Sequence, residues 1–60
     1  MRQMFHTYVS NDSKSTVDRA KQDIGSAASE MGFISQLRWT VQKVKHEGKE
    51  QYRVEGEFTT

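Results

Sequence analysis

The chain contains no cysteine and no proline, and its longest uninterrupted apolar run is two residues. Without cysteine it can form neither a disulfide nor a thiolate metal site. The short apolar runs exclude a membrane-spanning helix, and residues 1–20 lack the apolar stretch of a signal peptide, which favours a cytoplasmic location. With nine basic and eight acidic residues, the chain also lacks the basic excess of a dedicated nucleic-acid binder.

The chain is short: its 60 residues predict a single domain over 1–60 with a small core. A domain of this size buries only roughly 60% of the surface that its unfolded chain exposes. The free energy gained by burying apolar surface then nearly equals the entropy cost of ordering the chain. Small domains compensate with disulfides, a metal or partner subunits. Because disulfides are absent, and two isolated histidines make a poor structural metal site, we expect a homo-oligomer.

The clearest predicted element is a helix over about residues 14–31, where apolar side chains recur at helical spacing. Ser13 or Ser15 can cap its first turn, and Gly32 is a suitable left-handed stop. The apolar positions of this helix are Val17, Ala20, Ile24, Ala27, Ala28 and Met31.

Strand-forming residues and alternating polarity predict strands at residues 1–10, 33–45 and 51–60. The alternation in the second strand slips at least once, which a β-bulge would explain. A glycine-bearing loop of about four residues, 46–49, joins the last two strands as an antiparallel hairpin. The predicted fold is therefore α+β, in the order β-α-β-β, with one helix packed on a three-stranded antiparallel-rich sheet. The first strand can pair with the second strand, the third strand or a neighbour's edge.

No pattern for catalysis is present. The chain has no nucleophile elbow and no phosphate loop, and its two histidines lie forty residues apart without a carboxylate at a characteristic spacing. We therefore expect a protein that is not an enzyme and that holds no metal.

Small residues form a stripe along the predicted helix, where a glycine costs about 1 kcal/mol relative to alanine. Gly25 is either simply tolerated or marks the close approach of another backbone. The second interpretation predicts a partner or oligomer interface made of Gly25, Ala28, Gly32, Tyr52 and Phe58.

The predicted hairpin combines aromatic and charged side chains. Trp39 is either a core anchor or a platform on which a flat ring can stack. Basic residues cluster around Trp39 and Tyr52, which would suit weak binding of single-stranded nucleic acid by segment 38–53. Acidic residues occur in the same predicted hairpin, so cross-strand ion pairing is the alternative. The basic residues are Arg38, Lys43, Lys45, Lys49 and Arg53, and the acidic ones are Glu47, Glu50, Glu55 and Glu57.

The element order, the alanine-rich helix, the stretch Leu37-Arg38-Trp39 and the closing Tyr52-Arg53-Val54 with Phe58 resemble the dodecins. These are small flavin-binding proteins that assemble into hollow twelve-subunit shells. The resemblance implies that Trp39 stacks on the isoalloxazine ring of a flavin between subunits. It places Arg53 where the family commonly carries a flavin-contacting glutamine, with Gln42 as a further polar contact.

The leading hypothesis is thus a non-enzymatic binding protein whose homo-oligomer creates a site for a flat aromatic ligand. The predicted ligand-binding residues are Trp39, Arg53, Gln42 and Arg38. One alternative is a phage or mobile-element accessory protein that inhibits a host protein or sequesters a small signalling molecule. Another is the weak single-stranded nucleic-acid binder. The residues themselves do not identify the ligand.

Overall fold

The computed structural model describes all 60 residues. Its elements are β1 (Arg2–Val9), α1 (Lys14–Glu30), β2 (Ser35–His46) and β3 (Lys49–Thr59). The helix packs on one face of a three-stranded antiparallel sheet, which confirms the predicted fold class. The helix is neither long enough nor apolar enough to cross a membrane.

The last strand lies at the centre of the sheet, in the order β1-β3-β2, and pairs antiparallel with both neighbours. Val54 is opposite Thr7 on one side and Val41 on the other. The first strand therefore pairs with the third, which the sequence left open. The predicted slip in β2 is confirmed as a register shift between Gln36 and Arg38.

The turn between β2 and β3 is tighter than predicted. Only Glu47 and Gly48 lie outside the strands, and both have positive φ angles, 52° and 78°. Two successive left-handed residues are typical of a type I′ hairpin, whose twist matches that of the flanking strands. His46 and Lys49 thus face each other as the last paired residues instead of belonging to the loop.

Both ends of α1 follow the sequence signals. Ser13, not Ser15, is the N-cap, and its hydroxyl accepts a hydrogen bond from the Thr16 backbone N–H. At the other end Gly32 has a φ of 89°. The N–H of Phe33 donates to the carbonyl of Ala28, and the N–H of Gly32 donates to that of Ser29, which completes a Schellman motif.

The core lies between α1 and the central strand. Phe5, Val9 and Trp39 pack against it from the two outer strands. Ala27 and Met31, predicted for the apolar side of the helix, are exposed. The buried side of the helix consists only of Ala20, Ile24 and Ala28 and is narrower than predicted. The six buried apolar residues are Ala20, Ile24, Ala28, Phe33, Val54 and Phe58.

The helix packs on β1 and β3 and leaves β2 largely uncovered. A side chain added at Gly25 would meet nothing within 4 Å, so no backbone of this chain approaches the helix there. By contrast, a side chain at Gly56 would collide with the rings of Trp39 and Phe58. The glycine that another group approaches closely is therefore Gly56 on the central strand, against which two aromatic rings lie, and not Gly25 on the helix.

Candidate functional site

An open groove separates the first half of α1 from the later half of β2. It has a volume of about 570 Å³, within the range of roughly 300–1,000 Å³ that small-molecule sites occupy. It exists because the helix covers β1 and β3 and stops short of β2. This α1–β2 groove is lined by Asp12, Lys14, Val17, Asp18, Lys21, Val41, Lys43 and Tyr52.

Trp39 lies beside this groove on the helix side of the sheet. It precedes Val41 by two positions, so the two side chains project from the same face of β2. The indole lies over Gly56, since an added side-chain carbon there would be 2.6 Å from its Cζ3 atom. Its ring also meets Phe58 edge to face, with centroids 5.5 Å apart. The half-buried indole thus anchors the uncovered side of the core, as one of its two interpretations predicted.

The groove carries paired and unpaired charges. Lys14 donates to Asp18 at 2.8 Å, and this hydrogen bond lowers the pKa of Asp18 and raises that of Lys14. Lys43 lies 3.2 Å from Glu50, and the hydrogen bond between them raises the pKa of Lys43.

Lys21 is the one groove lysine without a carboxylate partner. Its ammonium lies 5.7 Å from the centroid of the Trp39 ring, within the range of a cation–π contact. Such a contact is weak at an exposed position, about 0.5–1 kcal/mol. The Lys21 ammonium therefore supplies positive charge beside the indole.

The other predicted ligand-binding residues lie on the opposite face of the sheet. Gln42 is opposite Arg53, and both alternate with the helix-facing side chains of their strands. Arg38 is likewise opposite Glu57, one position before Trp39. One copy of the chain therefore does not bring these three side chains together with the indole. The odd-numbered separations of Arg38 and Gln42 from Trp39 along β2 already imply that these two side chains lie on the other face.

Ion pairs on the hairpin match the cross-strand alternative in the sequence. Arg38 lies 3.9 Å from Glu57, which Arg2 also approaches at 3.8 Å. Arg53 donates to Glu55 at 2.6 Å within β3. Much of the positive charge predicted to attract nucleic acid is therefore neutralised within the chain.

The two histidines share the face of the sheet opposite α1, with Tyr8 between them. The rings of Tyr8 and His46 are parallel, with centroids 3.7 Å apart, and His6 meets Tyr8 edge to face at 5.5 Å. Nδ1 of His46 lies 3.1 Å from the side-chain oxygen of Gln51. No group of three or more histidine and carboxylate side chains is arranged to hold a metal.

The predicted interface residues divide into two groups. Ala28 and Phe58 are 0% and 4% exposed, so both belong to the chain's own core and are not available to a partner. Gly25 and Gly32 remain accessible at the surface of the helix and its C-terminal end. Tyr52 lines the α1–β2 groove.

The sequence interpretation missed the helical side of the groove. Lys14, Asp18 and Lys21 follow each other at intervals of four and three residues, which places them on one side of a helix. The spacing of these three residues could therefore have indicated the helical side of the groove.

Comparison with protein-family models, with curated proteins and with solved structures found no match.

Proposed function

We propose that this chain is a cytoplasmic, non-enzymatic binding protein that holds a flat aromatic ligand of the flavin type in the α1–β2 groove, beside Trp39. A second copy of the chain closes the open side of the groove. The observation that carries the proposal is an accessible groove with an apolar floor next to a tryptophan that is only half-buried.

The lining of the groove supports an aromatic ligand. Val17, Val41 and Tyr52 supply apolar and aromatic surface, and the other five lining residues are charged. Ligand sites commonly combine such a floor with a few charged groups that set orientation. A ring that slides along the floor reaches the exposed side of Trp39 by displacing Lys21, whose long side chain moves at small cost.

The small core supports a homo-oligomer. Only seven of 60 residues are buried, whereas several large apolar side chains remain exposed. Two-fold association on the groove side would cover Val41 and bring a second indole to the free side of the ligand. The exposed large apolar residues are Met1, Met4, Met31, Ile34, Leu37 and Val41.

Riboflavin is a suitable probe, because stacking on tryptophan quenches its fluorescence. We expect quenching at micromolar protein, and loss of binding in Val41→Lys, which places a charged chain on the floor of the groove. Val44→Lys is the matched control: it makes the same change on the same strand but on the opposite face. Native mass spectrometry of the same samples measures the number of subunits.

Two outcomes would contradict the proposal. Riboflavin fluorescence that stays constant through the titration would exclude this ligand class. Equal binding by the Val41→Lys and Val44→Lys variants would place the ligand outside the groove. A monomer that binds riboflavin at full affinity would remove the second copy from the proposal and leave the groove intact.

A further inference from the structure

The outer edge of β2 is a second surface that the chain leaves without a partner. The strand is 12 residues long, and all its ladder pairs run to β3 on its inner side. The five backbone hydrogen bonds outside the regular elements do not involve β2. No side chain bonds to its backbone either. Alternate N–H and C=O groups along this edge therefore point away from the protein unsatisfied.

Charge is distributed unevenly across the three strands. All the acidic residues of the sheet lie on the central strand β3, namely Glu50, Glu55 and Glu57. The two outer strands carry no acidic residue at all, and β2 carries three basic ones: Arg38, Lys43 and Lys45. A strand added beside β2 therefore meets basic side chains and no acidic side chain of β2, although Arg38 and Lys43 also contact Glu57 and Glu50 on β3.

This distribution disfavours a second copy at the edge. Two β2 strands paired with each other would bring lysine and arginine side chains together without any acidic partner. Pairing β2 with β1 of another copy would add Arg2 and again no acidic residue. Like charges across a strand pair are destabilising.

We propose that the outer edge of β2 binds an extended peptide segment of another protein that carries acidic side chains at alternate positions. Lys43 and Lys45 lie two residues apart and project from the same face, which matches carboxylates two residues apart on the added strand. Lys45 forms no ion pair within the chain, and Lys43 is 61% exposed despite its contact with Glu50.

A polypeptide fits this edge better than a nucleic acid does. The edge presents donors and acceptors in alternation, and only another peptide backbone satisfies both along its whole length. Phosphates accept hydrogen bonds and leave the carbonyls of the edge unpaired. β2 is preferred to the β1 edge because it is four residues longer, carries more positive charge and is not covered by the helix.

The test uses a labelled peptide of about ten alternating glutamate and valine residues, long enough to span most of β2. We expect saturable binding by fluorescence polarisation, and slowed amide hydrogen exchange at alternate residues of β2. Lys45→Glu should weaken binding by about tenfold or more. Lys49→Glu makes the same charge change on the central strand and should leave the affinity nearly unchanged.

Two further probes separate strand addition from general attraction of anions. A peptide of the same sequence with every backbone nitrogen methylated keeps the charge and removes the N–H donors that β2 needs, so it should not bind. An oligothymidylate of similar length should not protect the β2 amides. Absence of binding by the first peptide, or equal binding by all three probes, would overturn the proposal.

Discussion

Replacing Gly56 with alanine tests whether the indole of Trp39 rests on the backbone of β3. The new methyl carbon would lie 2.6 Å from Cζ3 of Trp39 and 2.7 Å from Cε1 of Phe58. Both distances are shorter than real side-chain carbons allow, so at least one ring has to move. Overpacking of this kind costs about 1–3 kcal/mol.

That cost is large for a chain of this length. Domains have about 0.05–0.15 kcal/mol of stability per residue, so the loss is a substantial part of the total. Each kcal/mol lowers the melting temperature of a domain this small by about 4–8 °C. Urea unfolding at a fixed protein concentration measures the free energy directly. The emission of the single tryptophan reports on the ring itself.

Gly25→Ala is the matched control. It is the same substitution in the same chain, but the added carbon meets nothing within 4 Å and lies inside a helix. Alanine is the better helix former by about 1 kcal/mol, so this variant should be stabilised. If Gly56→Ala proved as stable as Gly25→Ala, the indole would not occupy the space over the central strand, and the described geometry beside the groove would be wrong.

Two further predictions concern α1. Ser13→Ala removes the N-cap acceptor for Thr16 and should destabilise the chain by about 1 kcal/mol in urea unfolding, whereas Ser15→Ala should change stability by less than about 0.5 kcal/mol. The pKa of Asp18 is held below its ordinary value by the hydrogen bond from Lys14, so the contribution of this pair is present at neutral pH and is lost as the pH falls through the lowered pKa. Lys14→Gln should return the Asp18 pKa, measured by carboxyl NMR titration, towards its ordinary value; an unchanged titration would contradict the pairing.

Local sequence signals were sufficient for the elements of this fold. Strict alternation over Tyr52, Val54 and Phe58 identified a half-buried strand, and the structure places that strand at the centre of the sheet. The bulge was expected but not located, because apolar residues occur on both sides of the slip. Local patterns could not predict the order of the strands, since this order depends on contacts between residues more than forty positions apart, such as Thr7 and Val54.

The site was predicted less well, for two different reasons. The separation of Trp39 from Gln42 and Arg38 follows from strand geometry and was available from residue spacing alone. The groove itself could not be predicted from the sequence. It depends on how far α1 extends across the sheet, and no local pattern shows that Lys21 comes to lie over Trp39.

The charge distribution links the two proposals. Because the acidic residues of the sheet are confined to its central strand, pairing two β2 edges would bring basic side chains together without an acidic partner. The proposed self-association would instead use apolar surface, which includes Val41 beside the groove. Under the two proposals, an acidic strand would occupy the β2 edge and a second copy would close the groove side. Lys43 belongs to both surfaces, so occupation of the edge and occupation of the groove should influence each other through that side chain.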